Sequence, residues 1–146
     1  KINDMISIDS SVYYFSYSTS CSKKDPNNGY HIPAESLSLP NYPLCYLMGR
    51  ININAGNGLV TDSTWFENDG TVNTISMTRP FTGKNGPEPM VNLKKGETPK
   101  IGIWNFMGKY NLDHKNFIGF FLDSQKMIDD MYNRFEYHAS LLYSLP

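Results

Sequence analysis

Proline and glycine decide where this chain can be regular. Pro26, Pro33, Pro40 and Pro43 crowd residues 20–45, beside the turn signal Asn27-Asn28-Gly29. Pro80, Pro87, Pro89 and Pro99 crowd residues 79–100, with Gly83, Gly86 and Gly96. Each proline fixes φ and removes a backbone donor, so neither window can hold a long helix. Both are expected to be loops. Tyr30, Ile32, Leu37, Leu39 and Tyr42 favour an ordered first loop lying on the body. AGNG at 55–58 is a further expected turn.

Regular structure is left to what lies between. VYYFSYST, residues 12–19, reads as a strand, because β-branched and aromatic residues favour extended chain. Tyr13, Phe15 and Tyr17 share one face, which should be buried. Val12, Tyr14, Ser16 and Ser18 share the other. IGIWNFMG, residues 101–108, reads as a buried strand followed by a polar loop carrying His114. Residues 44–53 suit a short strand or a helix, as do residues 71–77. From Asp123 to about Leu145, Met127, Met131, Phe135, His138-Ala139 and Leu142 recur at helical spacing. Ile128, Tyr132 and Leu141 widen that stripe, and Asp123 or Ser124 can cap the amino end. Strand, loop, strand, loop, strand, helix suggests part of an α/β layered fold.

Length and charge exclude several classes. The 146 residues suit one domain and a real core, and residues 1–146 are read as a single segment. The net charge of −1 offers no electrostatic footprint for nucleic acid. No apolar run approaches the ~20 residues that span a bilayer. Cys21 and Cys45 could form one bridge or stay as two thiols, and no Cys/His spacing suggests zinc. There is no export signal and no initiator Met, so the chain is expected to be a piece of something longer.

The chemistry rests on a few side chains. His138 lies on the apolar stripe and reads as a packed core-edge residue. His31, ahead of Ile32-Pro33, reads as solvated or packing. His114 lies past a strand end, where α/β folds expose working side chains. Asp69, between Asn68 and Gly70, reads alone as a turn residue. As a pair they stand in the order acid then histidine, on successive post-strand loops. That is how an α/β-hydrolase completes a Ser–Asp–His triad. The imidazole takes the nucleophile's proton and returns it to the leaving group; the carboxylate holds its tautomer.

TWFENDGTVNTISM and GIWNFMGKYNLDHKNFIG resemble segments of bacterial triacylglycerol lipases and carboxylesterases of the staphylococcal and thermophilic-bacillus type. The resemblance places the triad acid on Asp69 and the triad histidine on His114. VYYFSYST and the helix ending LLYSLP resemble that family's strand and final helix. The implied fold is the carboxy-terminal part of an α/β-hydrolase: a few sheet strands, long loops and a packed carboxy-terminal helix. Glu67 has no clear family role and is expected in a solvated position or a salt bridge.

No serine here is framed as G-x-S-x-G. The nucleophile and the oxyanion hole are therefore expected upstream, on an amino-terminal half that acts as partner. This chain alone is expected to be inactive. The implied function is the distal half of a hydrolase cleaving lipid or other water-insoluble esters through an acyl-enzyme. The loops at 30–45 and 79–93 would border the acyl cleft or simply pack. The alternative is a non-catalytic structural or partner-binding domain derived from a hydrolase. The resemblance also implies an extracellular setting.

No cofactor is required by this chemistry. The family often holds a structural calcium through acidic residues after the triad histidine. Here those positions are Asn116 and Phe121, with Asp123 the nearest carboxylate. Calcium favours several charged oxygens, so Asn116 and Asp123 make a poor site. Open sheet edges and bare apolar surface are expected where a partner segment would pack.

Overall fold

A computed structural model describes residues 8–54, 60–81, 87–120 and 122–146. The turn expected at 55–58 lies outside the described residues, as do Gly83, Gly86 and Phe121. Among the described residues, five strands and three α-helices alternate with loops and short 3₁₀ turns: β1 (Tyr14–Thr19), β2 (Ser22–Lys24), β3 (His31–Pro33), α1 (Tyr42–Met48), β4 (Met90–Asn92), β5 (Trp104–Tyr110), α2 (His114–Phe117) and α3 (Gln125–Tyr143). β1, β5 and β4 form a parallel sheet with β5 in the middle. β2 and β3 form a separate antiparallel hairpin. Parallel strands need cover on both faces. The α3 helix covers one face, and the single turn Thr74–Met77 packs on β1 from the other.

The strand expected at 12–19 is β1. The aromatic face of β1 meets α3: the rings of Phe15 and Tyr17 both pack edge-on against His138. The opposite face is the more deeply buried, which the pattern did not indicate. Ser16 and Ser18 are buried there, and the Ser16 hydroxyl donates to the Thr78 carbonyl. Small side chains let that backbone come close, and the Ser16 hydroxyl satisfies its carbonyl, while the Ser18 hydroxyl is buried without a partner among the described residues.

The proline windows hold more structure than expected. The first contains the β2–β3 hairpin and then α1, which begins at Tyr42 with Pro43 in its first turn, where proline's missing N–H costs nothing. This resolves the early part of residues 44–53 as helix. The second contains β4, three residues paired to β5 at the sheet edge; it starts directly after Pro89, which has no N–H to give but whose carbonyl accepts from the Trp104 N–H. Residues 74–77 form a 3₁₀ turn and no strand. The strand expected at 101–108 starts at Trp104; residues 101–103 belong to a turn whose Gly102 N–H donates to Val12.

The final helix starts after Ser124, whose hydroxyl accepts from the Met127 N–H, so Ser124 rather than Asp123 is the cap. Its inward face differs from the expected stripe. Met127, Met131, Arg134, Tyr137, His138 and Leu141 face the body, while Tyr132, Phe135, Ala139 and Leu142 are exposed. The helix is apolar on two sides, and periodicity alone cannot choose between them. Arg134 turns inward because its guanidinium lies over the Tyr110 and Phe117 rings.

Cys21, Leu37 and Cys45 form a buried cluster backed by Ala34 and Tyr42. Both cysteines are free thiols. Burial pushes the Cys45 thiol up to about 11, against a hydrogen bond from Asn68, so it stays protonated at neutral pH. Among the described residues, no helix is long and apolar enough to cross a membrane.

His138 is a packed residue, its Nδ1 3.0 Å from the Tyr17 hydroxyl. Burial lowers its pKa below 6.5, so the fold favours the neutral ring. His31, half-buried in β3 and bonded to Ser22, is lowered chiefly by burial as well. A lowered histidine contributes stability that is complete above pH 6.5 and is lost as pH falls through the folded-state value. Replacing His138 by Gln, which keeps a partner for Tyr17, should flatten the loss of thermal stability between about pH 7 and pH 5. Unfolding curves of both proteins at the two pH values measure this.

Candidate active site

Asp69 is fully buried, and its two carboxylate oxygens have separate tasks. Oδ1 accepts the backbone N–H groups of Thr71 at 3.0 Å and Val72 at 2.8 Å. That closes the turn. Oδ2 accepts the Thr19 hydroxyl and lies 2.7 Å from His114 Nδ1. Asp69 is therefore both a turn residue and the partner of a histidine. A buried carboxylate without donors would be costly. Four donors converge on this one.

The turn is held from below. The Asn68 side chain is buried, donates to the Phe66 and Cys45 carbonyls at 2.9 and 3.3 Å, and accepts from the Gly70 N–H at 2.9 Å. Gly70 adopts φ +88°, the left-handed region. A Cβ there would stand 2.6 Å from Leu37 and 3.0 Å from Asn41. Gly70 is thus demanded by conformation and by space at once. The acid loop sits directly on the Leu37–Cys45 cluster.

His114 is the first residue of α2, one step after the buried cap Asp113, so the polar loop expected to carry it ends in a helical turn. Asp113 Oδ1 accepts the Lys115 N–H at 2.8 Å. Its Oδ2 accepts from the Ser38 N–H at 3.3 Å and the Asn41 amide at 3.2 Å. Burial pushes the Asp113 carboxyl up, but the Lys115, Ser38 and Asn41 donors outweigh it and hold it below 3.8. Asn41 also lies against Gly70. The segment 37–41 therefore braces the acid loop and the histidine helix together.

The His114 side chain is 38% exposed while Asp69 is wholly enclosed. With Nδ1 facing Asp69, Nε2 is left to exchange a proton with a group outside. A hydrogen bond at Nδ1 selects the tautomer whose Nε2 is a base.

Glu67 forms a salt bridge to Lys109 at 2.7 Å. Burial raises its pKa, but the Lys109 and Ser20 hydrogen bonds leave it below the ordinary value. Asn116 is buried within α2, and Asp123 is exposed ahead of α3. Among the described residues, no three His, Cys, Asp or Glu side chains gather as a metal site. Asp113, the buried carboxylate at the start of the same short helix, already receives three donors. One amide and one exposed carboxylate do not fit a calcium ion, which takes about 6–8 oxygens.

The sequence reading missed Thr19, Asn68, Asp113 and the 37–41 brace. Asp113 had a local signal, an Asp directly before a short helical run. Thr19 had none, because its contact spans fifty positions.

A parallel sheet with an acid loop after one strand and a histidine after its neighbour defines part of an α/β-hydrolase. No protein-family model matches the sequence. Solved structures do. EstA from Clostridium botulinum is 32% identical with a TM-score of 0.79, over 99% of this chain and 32% of EstA. Lipase 1 from Pelosinus fermentans is 26% identical with a TM-score of 0.68, over 99% of this chain and 36% of that one. Staphylococcus hyicus lipase is 20% identical with a TM-score of 0.78, over 97% of this chain and 33% of that one, and shows the shared fold. The chain has the fold of these lipase and esterase α/β-hydrolases and fits a carboxy-terminal portion of them. It spans about a third of the length of the structures it matches.

Gly70→Ala should cost about 1–3 kcal/mol through the forced left-handed backbone. It should also shift the Asp69 loop; denaturant unfolding measures the first effect and chemical shifts around His114 the second. Asp113→Ala should cost about 1–2 kcal/mol as a lost cap. The stability held by Asp113 is present above pH 3.8 and is lost as pH falls through its lower folded value. The variant's stability should accordingly fall less steeply on acidification than that of the parent.

Proposed function

We propose that this chain supplies the acid and the histidine of a carboxylic-ester hydrolase whose serine nucleophile stands on the rest of the hydrolase fold. The substrates are lipid or other water-insoluble esters, and the setting is extracellular. The observation that carries the reading is the 2.7 Å contact between buried Asp69 and the more exposed His114. The likeness to EstA and to two lipases supports it.

His114 Nε2 would take the serine proton as the hydroxyl attacks the ester carbonyl. It would then hand that proton to the departing alcohol. Asp69 would keep the proton on Nδ1 and stabilise the imidazolium, without itself becoming protonated. The second half-reaction repeats the sequence with water in place of serine. No step needs a metal.

The partner is the remaining portion of the same fold. Tyr132, Phe135, Leu142 and Tyr143 on α3 are exposed, as are Leu44 and Leu47 on α1. Apolar surface on that scale fits burial against further protein. The edge of β1 away from β5 would receive the next strand of the sheet.

In the full-length hydrolase, His114→Ala should lower ester turnover by at least about 10³-fold and abolish serine labelling by a fluorophosphonate probe. Labelling and turnover that survive the substitution would sink the assignment and favour a role in packing or partner contact.

A further inference from the structure

The site described so far accounts for the amino end of α2 but not for its other end. α2 is a single turn and cannot hold its own position. Phe117 closes that turn. Its carbonyl is among those that a helix terminus leaves without an internal partner. The Arg134 guanidinium, from the middle of α3, donates to that carbonyl at 3.0 Å. The same guanidinium lies 4.6 Å from the centre of the Phe117 ring and 5.1 Å from that of Tyr110. Phe117 in turn packs against Tyr17 of β1 and Tyr110, the last residue of β5. One turn further back on α3, Met131 presses on Gly119, where a Cβ would stand 2.6 Å from the sulfur.

We propose that Arg134 is a positioning residue for His114. It pins the carboxy end of α2 to α3 and the sheet, as Asp113 pins the amino end to segment 37–41. Pinned at both ends, the turn cannot rotate, and the imidazole keeps Nδ1 on Asp69. This rests on the proposed roles of Asp69 and His114. The planar fork matters: one guanidinium donates to the carbonyl while lying over two rings, a combination that a compact ammonium on a flexible stem holds less well. Among the described residues Arg134 forms no salt bridge to a carboxylate, and its Nε is buried without a hydrogen bond. The charge is therefore spent on a carbonyl and two rings.

The test uses the full-length hydrolase with Arg134→Met, which keeps the aliphatic stem, and Arg134→Lys, which keeps the charge. The first readout is the downfield proton resonance of His114 Nδ1–H bonded to Asp69, identified by its loss in His114→Ala. The second is the split between kcat and KM for a soluble ester. Both variants should shift or broaden the resonance and lower kcat by about 10- to 100-fold with KM nearly unchanged, as for a slightly misplaced catalytic group. An unmoved resonance and unchanged kcat in folded Arg134→Lys would overturn the proposal. Should Arg134→Met fail to fold, the lysine variant alone decides. If His114→Ala leaves turnover intact, the hydrolase reading fails separately. The resonance still judges the clamp, because it reports the Asp69–His114 bond and not the reaction.

Discussion

A carboxylate with no exposure to water organises this structure. Asp69 is tolerable only because the Thr71 and Val72 amides, the Thr19 hydroxyl and the His114 ring all converge on it. Losing any donor would leave a buried charge short of a partner, which costs more than a net hydrogen bond provides. The four donors come from three places: the acid's own turn, the end of β1, and the start of α2. Their meeting point therefore fixes how the acid loop, the sheet and the histidine helix sit together.

The interior follows the same logic. Asn68, Asp69, Asn105 and Asp113 are among the largest fully buried side chains. Asn105 alone gathers the Tyr14, Lys100 and Ile103 carbonyls with its amide and the Lys100 N–H with its oxygen. Such networks specify one arrangement, since a half-satisfied set is worse than none. Fully buried apolar side chains are few among the described residues. Leu37, the two cysteines, Phe66, Leu93 and Leu141 are buried, while much of α1 and the outer side of α3 keep apolar groups at the surface. Specificity comes from these polar contacts, and much of the apolar surface of the two helices stays exposed.

Much of this was legible from residue order. Aromatic alternation at 12–19 and periodicity beyond Asp123 both reported real elements, because each reflects a backbone repeat that needs no distant partner. Short elements were harder. β2, β3 and β4 have three residues each and sit among prolines, so their pairing partners define them rather than their own propensities. The facing of α3 failed for a related reason. Phe135 looks inward on a wheel and Arg134 does not, yet the aromatic rings that receive Arg134 come from β5 and α2.

The sequence by itself determined the acid–glycine turn at Asp69-Gly70, the histidine at 114 and the breaks around them, since turn chemistry and proline act within a few residues. It also determined that no G-x-S-x-G serine accompanies them in these residues. Only the tertiary structure decided that Asp69 reaches His114 across forty-five positions, that Thr19 shares its oxygen, and that segment 37–41 supports both loops. Those contacts depend on β1 and β5 lying side by side in parallel. Parallel neighbours are joined by long crossovers, so their partnership leaves no local mark on the chain.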